Sequence, residues 1–160
     1  MKQLAGALVL SIFCNTVAAE PLKEKLVGTW LMVSATASDK SGKTRHPWGE
    51  KPIGTYIFTE DGHFAQIFVR PDLPKIKSRA AASPEEAKQI VRGSLAMFGT
   101  YAINEKDGVV TLRVAGSTLS SQIGTEGKRQ IKELDQNQLQ FSNPGTSEGL
   151  VSSSTWRRAN

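Results

Sequence analysis

The stretch that decides the fold is Gly54-Thr55-Tyr56-Ile57-Phe58-Thr59-Glu60-Asp61-Gly62-His63-Phe64-Ala65-Gln66-Ile67-Phe68-Val69-Arg70. On both sides of Glu60-Asp61-Gly62 the residues are aromatic and β-branched, the composition of a strand. A three-residue loop ending on glycine is the usual way to join two such strands antiparallel, through a type I turn closed by a left-handed residue. The turn then sets the register: Thr59 faces His63, Phe58 faces Phe64, and Tyr56 faces Gln66. Because side chains alternate along a strand, Tyr56, Phe58, Phe64, Gln66 and Phe68 share one face, which is expected to be interior.

Working outward, short runs of the same type recur at close spacing, which favours a barrel or sandwich over helix and strand in alternation. Strands are predicted at 29–36, 54–59, 63–70, 100–104, 109–115, 128–134, 139–142 and 150–158. Ser38-Asp39-Lys40-Ser41-Gly42, Lys106-Asp107-Gly108 and Asp135-Gln136-Asn137 supply turns between them. Arg45-His46-Pro47-Trp48-Gly49 reads as loop. One helix interrupts the pattern. Ser83 caps it, Pro84 occupies its first position and Glu86 completes a capping box. Ala87, Ile90, Val91, Leu95 and Phe98 recur at helical spacing, so the helix is predicted to run to just before Gly99 and to plug or flank the barrel.

Strand parity also places the polar candidates. In Lys128-Arg129-Gln130-Ile131-Lys132 the polar residues fall on one face, which leaves Arg129 with Ile131 pointing inward. A buried guanidinium is costly unless paired. Arg129 is therefore expected to meet Glu126, a backbone carbonyl, a tyrosine or an anionic ligand. By the same parity Arg113 faces water and Tyr101 points inward with Ile103. Tyr101 and Arg129, with Gln66, are the expected polar lining of the interior.

At the N-terminus Lys2 precedes an apolar stretch from Leu4 to Cys14, and Val17-Ala18-Ala19 carries small residues where a signal peptidase reads them. Residues 1–19 are read as a secretory signal. The apolar stretch is too short to span a bilayer, which takes about 20 residues. Bulky Phe13 before Cys14 argues against a lipidated cysteine. Cleavage leaves residues 20–160 as one domain without cysteine, exported to the periplasm or the medium, with no transmembrane segment and no disulfide. Without Lys2, 19 Lys and Arg stand against 15 Asp and Glu, a mild excess of +4. The basic residues are scattered except at Lys75-Ile76-Lys77-Ser78-Arg79, and no run of basic and aromatic residues suggests nucleic acid.

Catalytic motifs fail on context. Gly145-Thr146-Ser147-Glu148-Gly149 spells G-x-S-x-G, yet a strand rather than a helix follows it and both histidines lie upstream. Two histidines, His46 and His63, in unrelated segments make no zinc site. The glycines sit in hairpin turns, not between a strand and a helix, so no phosphate-binding loop is present. No cofactor is expected.

Leu26-Val27-Gly28-Thr29-Trp30 resembles the G-x-W opening strand of lipocalins, in the L-x-G-T-W form of a lipocalin-like family of small domains. The similarity continues through Asp61-Gly62, Arg70-Pro71, Gly99-Thr100-Tyr101, Gly124-Thr125 with Arg129 four residues on, and Trp156. It implies an all-β, antiparallel lipocalin-like barrel of about eight strands with one short α-helix. It also implies that Trp30 packs under the barrel against an arginine of the last strand, Arg157 or Arg158. Members often carry histidine in the strand corresponding to 109–115, where this chain has Leu112-Arg113, so no histidine-dependent chemistry is expected there.

The functional expectation is a barrel binding a small, largely apolar molecule, lined by Tyr56, Phe58, Phe64, Gln66, Phe68, Tyr101 and Arg129. Two alternatives stand beside it. One is a small-barrel enzyme of isomerase, cyclase or lyase type that uses the same cup, with His63 and Tyr101 as its acid or base. The other is a ligand-free structural protein of the cell envelope.

Overall fold

A computed structural model describes residues 20–143 and 150–160; the expected signal at 1–19 and the G-x-S-x-G motif at 145–149 lie outside them. The order is α1 (Leu22–Leu26), β1 (Gly28–Ser38), β2 (Thr44–Arg45), β3 (Ile53–Phe58), β4 (His63–Val69), α2 (Pro84–Gly93), β5 (Ser94–Asn104), β6 (Val109–Ser117), β7 (Glu126–Leu134), β8 (Gln138–Asn143) and β9 (Val151–Arg158). Strands from β3 onward pair antiparallel with their sequence neighbours, and β1 pairs with both β3 and β9. This closes an eight-stranded barrel, with β2 as a ninth strand on the end of β1.

The β3–β4 hairpin forms in the expected register, Tyr56 opposite Gln66 and Phe58 opposite Phe64. Gly62 takes φ +88° in the turn, a value that favours glycine, and its N–H donates to the Thr59 carbonyl at 3.1 Å. Tyr56, Phe58, Phe64 and Gln66 are all buried, and Phe68 is partly so.

The helix is shorter than its apolar spacing predicts. Its capping box forms as expected, with Ser83 accepting from the Glu86 N–H and the Glu86 carboxylate accepting from the Ser83 N–H. It ends at Gly93, however, and Leu95 and Phe98 belong to β5. Met97, Gly99 and Tyr101 are buried and Phe98 and Thr100 exposed, so a period of two takes over where a period of 3.6 was expected. Pairing decides it, because β4 offers its whole length to this segment, from Val69 opposite Ser94 to His63 opposite Thr100. The helix does not plug the barrel. Gly93 is its one buried residue and Val91 is 71% exposed.

The base of the barrel is closed by Trp30. Its indole N–H donates to the Leu26 carbonyl at 2.8 Å, and the Arg158 guanidinium stacks 4.1 Å from the ring centre. Arg158 is the arginine of the pair expected with Trp30, while Arg157 lies opposite Leu31 and is exposed. The same guanidinium donates to the Val27 and Lys25 carbonyls at 2.8 and 2.6 Å, tying α1 to the last strand. Across the base the Glu105 carboxylate accepts from the Leu22 and Lys23 N–H groups at 2.7 and 2.9 Å and so caps α1.

Candidate functional site

The barrel has two halves. Toward the base the interior is filled by its own side chains: Phe58, Phe64, Tyr101, Val110 and Leu112 pack above Trp30. Toward the other end, where β1 and β9 pair, both strands carry small residues. Ala35, Thr36 and Ala37 of β1 stand opposite Ser154, Ser153 and Ser152 of β9. The aromatic rings of the facing strands do not fill the space these small residues leave, and a cavity of about 90 Å³ remains.

Its walls are assembled from most of the barrel. Tyr56 from β3 and Gln66 and Phe68 from β4 form one side, with Arg129 from β7, Phe141 from β8 and Trp156 from β9 around the rest. Pro47 and Trp48, from the connection between β2 and β3, form the rim. Trp48 is fixed there by an edge-to-face contact with Phe68 at 5.1 Å, and Phe68 in turn lies 5.5 Å from Trp156.

Two polar atoms in this wall stand out. The Tyr56 hydroxyl and the Gln66 Oε1 are buried and have no hydrogen-bond partner among the described residues. Their residues are only 1% and 2% exposed, and they sit directly opposite each other across β3 and β4. Leaving such a group unpaired costs about 1–3 kcal/mol. Burial raises the Tyr56 phenol well above its ordinary pKa, against the pull of the Arg129 charge, so the hydroxyl keeps its proton. The pair therefore offers one O–H and one carbonyl acceptor.

Arg129 does point inward, opposite Val110, but it forms no ion pair among the described residues. Glu126, its expected acidic partner, bonds instead to the exposed Arg113 at 2.6 Å. Among the described residues the Arg129 guanidinium donates to the Lys128 carbonyl at 3.0 Å, a bond to its own neighbour that uses one of its five N–H donors.

Of the seven residues expected from the sequence to line a site, four meet at the cavity: Tyr56, Gln66, Phe68 and Arg129. Phe58, Phe64 and Tyr101 lie in the packed half. Tyr101 points inward as its parity requires, yet its hydroxyl donates to the Thr59 carbonyl at 2.9 Å and its ring packs against Phe58 at 5.1 Å. His63 is on the outside, 3.1 Å from Asp61. His63 and Tyr101 therefore do not face each other or the cavity. Sequence reading missed Trp48, Trp156 and the serines of β9. The run Ser152-Ser153-Ser154 was the available signal, since a barrel strand so poor in bulk marks where space is left.

Among the described residues no group of three or more His, Cys, Asp or Glu is arranged to hold a metal, and no helix is long and apolar enough to cross a membrane.

A closed antiparallel barrel, packed at one end and open to a small cup at the other, defines a lipocalin-like protein. The sequence profile of the lipocalin-like domain family matches residues 27–159, and the chain belongs to that family. Among solved structures it is similar to a lipocalin-like protein from Bacteroides uniformis, at 14% identity and a TM-score of 0.47, over 84% of this chain and 99% of that one. It is also similar to a de novo designed fluorescence-activating β-barrel, at 12% identity and a TM-score of 0.45, over 88% of this chain and 100% of the design. No curated protein matches the chain.

Proposed function

We propose that this protein binds a small molecule with an apolar body and a polar or acidic head in the cup between β1, β3, β4, β7, β8 and β9. The observation that carries this reading is the Tyr56–Gln66 pair, whose polar atoms are buried in the cup wall with no protein partner among the described residues. A ligand bearing an acceptor and a donor satisfies both, and a carboxylate among its groups meets Arg129 as well. Phe68, Trp48, Trp156 and Phe141 supply apolar contact. The volume favours compact ligands: about 90 Å³ takes part of a small aromatic molecule and leaves the rest at the mouth beside Pro47 and Trp48, while drug-sized sites run to roughly 300–1,000 Å³. The base half, being packed, has no room for a long chain.

In this reading the chain acts after export, with residues 1–19 as its signal. An intact mass starting at Glu20 is expected for the exported form; a mass that retains 1–19 counts against export by this route.

Titration calorimetry with benzoate and with benzyl alcohol tests the cup. Binding of either that is lost in Gln66→Leu supports the reading. Equal affinity in wild type and Gln66→Leu, or no heat from either compound together with no small molecule in native mass spectra, rejects it.

A further inference from the structure

In an up-and-down barrel every second connection lies at the same end, so the topology sorts the loops into two sets. Described loops at the cup end are 39–52, 70–93 and 118–125; at the base they are 20–27, 59–62, 105–108 and 135–137. The charges divide sharply between them. The cup-end loops hold ten Lys and Arg against five Asp and Glu, whereas the base loops hold three against seven. The loops of one end carry an excess of five positive charges and those of the other an excess of four negative ones, which Arg157 and Arg158 at the close of β9 reduce to two. The connection 144–149 adds one acid in sequence, Glu148, and leaves the sign unchanged.

The cup-end loops also carry exposed apolar side chains. Val91 on α2 is 71% exposed, and Leu119 and Ile123, which flank the 3-10 turn Ser120–Gln122, are 47% and 50% exposed. The 118–125 connection starts beside the strand that leaves α2, because Ala96 of β5 bonds to Thr118 through both its N–H and its carbonyl. Basic side chains around solvent-facing apolar tips have the chemistry of a surface that sits in the interface of an anionic bilayer. Nucleic acid would match the charge but not the aliphatic tips, and the one Phe, Tyr or Trp of the described cup-end loops, Trp48, is held against Phe68.

We infer that the cup end docks on anionic lipid surfaces, with Lys75, Lys77, Arg79 and their neighbours against the headgroups and Val91, Leu119 and Ile123 at the acyl boundary. The axial separation of charge orients the approach, since the acidic base is repelled as the basic end is drawn in. Docking places the cup mouth against the membrane and does not require that the cup bind anything.

Co-sedimentation of the purified protein with vesicles tests this. Binding to equimolar phosphatidylcholine and phosphatidylglycerol is expected, with none to phosphatidylcholine alone. At about fivefold per basic residue near the surface, the triple change Lys75→Gln, Lys77→Gln and Arg79→Gln lowers partitioning roughly 100-fold. Leu119→Ser with Ile123→Ser lowers it further at high salt, and Lys106→Gln at the base leaves it unchanged. All six positions are exposed, and an unchanged urea midpoint verifies that each variant is folded. Equal binding to neutral vesicles, no binding to either, an equal loss in Lys106→Gln, or tighter binding to a short DNA duplex than to the anionic vesicles overturns the inference. Each of these results is independent of whether benzoate or benzyl alcohol binds the cup.

Discussion

Trp30 and Arg158 stand opposite each other on β1 and β9, and the guanidinium carbon sits over the indole, 4.1 Å from the ring centre. One contact thus joins the first and last strands at the base. Trp30→Ala is expected to cost about 3–5 kcal/mol, the range for deleting a large buried aromatic. Arg158→Met, which keeps the stem but loses the ring contact and the carbonyl bonds, should cost about 2–3 kcal/mol. Trp48→Ala, on a half-buried loop residue, should cost clearly less than either. Urea midpoints of the three variants check the order, and equal losses for Trp30 and Trp48 contradict it.

At the cup, stability and binding should move in opposite directions. Tyr56→Phe removes a buried hydroxyl that has no partner and keeps the ring stacked on Phe58 at 4.3 Å. Unfolding free energy is expected to stay level or rise by up to about 1 kcal/mol, while affinity for a ligand that bonds to this hydroxyl falls. A loss of more than about 1 kcal/mol would mean that the hydroxyl is satisfied in the folded protein.

The same hydroxyl sets an alkaline limit. Burial raises the Tyr56 phenol above its unfolded value, and burial followed by the nearby Asp61 charge raises that of Tyr101. For an acid whose folded pKa is raised, stability is intact below the unfolded value of about 10 and declines as pH climbs beyond it, because the unfolded chain ionises first. The urea midpoint is expected to fall between about pH 9 and about pH 11, less steeply in Tyr56→Phe, with the remaining slope due to Tyr101. Identical slopes in the two proteins would remove Tyr56 from this account.

Arg129→Met distinguishes recognition from architecture. No acidic partner among the described residues is stranded by the change, so stability should shift by less than about 1 kcal/mol rather than the 3–5 typical of a broken buried pair. Affinity for benzoate should drop more than for benzyl alcohol. A large loss of stability, or parallel losses for the two compounds, would refute the role of Arg129 as an acid-binding group.

Gly99 is predicted to be the least replaceable glycine. It sits where the β5–β6 register shifts, and an added Cβ would overlap the Arg113 carbonyl and come within 2.9 Å of the Ala115 nitrogen. Both obstacles are backbone, which cannot swing aside. Gly99→Ala should cost about 3 kcal/mol or more, read as a fall in melting temperature, whereas Gly42→Ala, with nothing nearby, should lose only what its positive φ demands.

How much of this was legible in the sequence follows from what each signal measures. The β3–β4 hairpin was readable to the residue because Glu60-Asp61-Gly62 fixes register locally. The end of α2 was not, because Leu95 fits both a helical face that includes Val91 and a strand face that includes Met97. Only the pairing with β4, remote in sequence, separates the two. For Tyr101 and Arg129 parity gave the correct side of the sheet, but parity says nothing about height along the barrel axis. One therefore lies in the packed half and the other at the cup. The contribution of Trp48 was hidden for a related reason: its contact with Phe68 is made by a loop folding over the mouth, and no periodicity reports that.

Barrel closure falls to the pairing of β1 with β9, strands more than a hundred positions apart in the chain. Until the ribosome has released Val151–Arg158, β1 and β8 both present unpaired edges, and the nascent sheet is open. Closing the barrel thus depends on the longest loop closure in the fold, and until that closure is made both edges stay open to pairing with another strand.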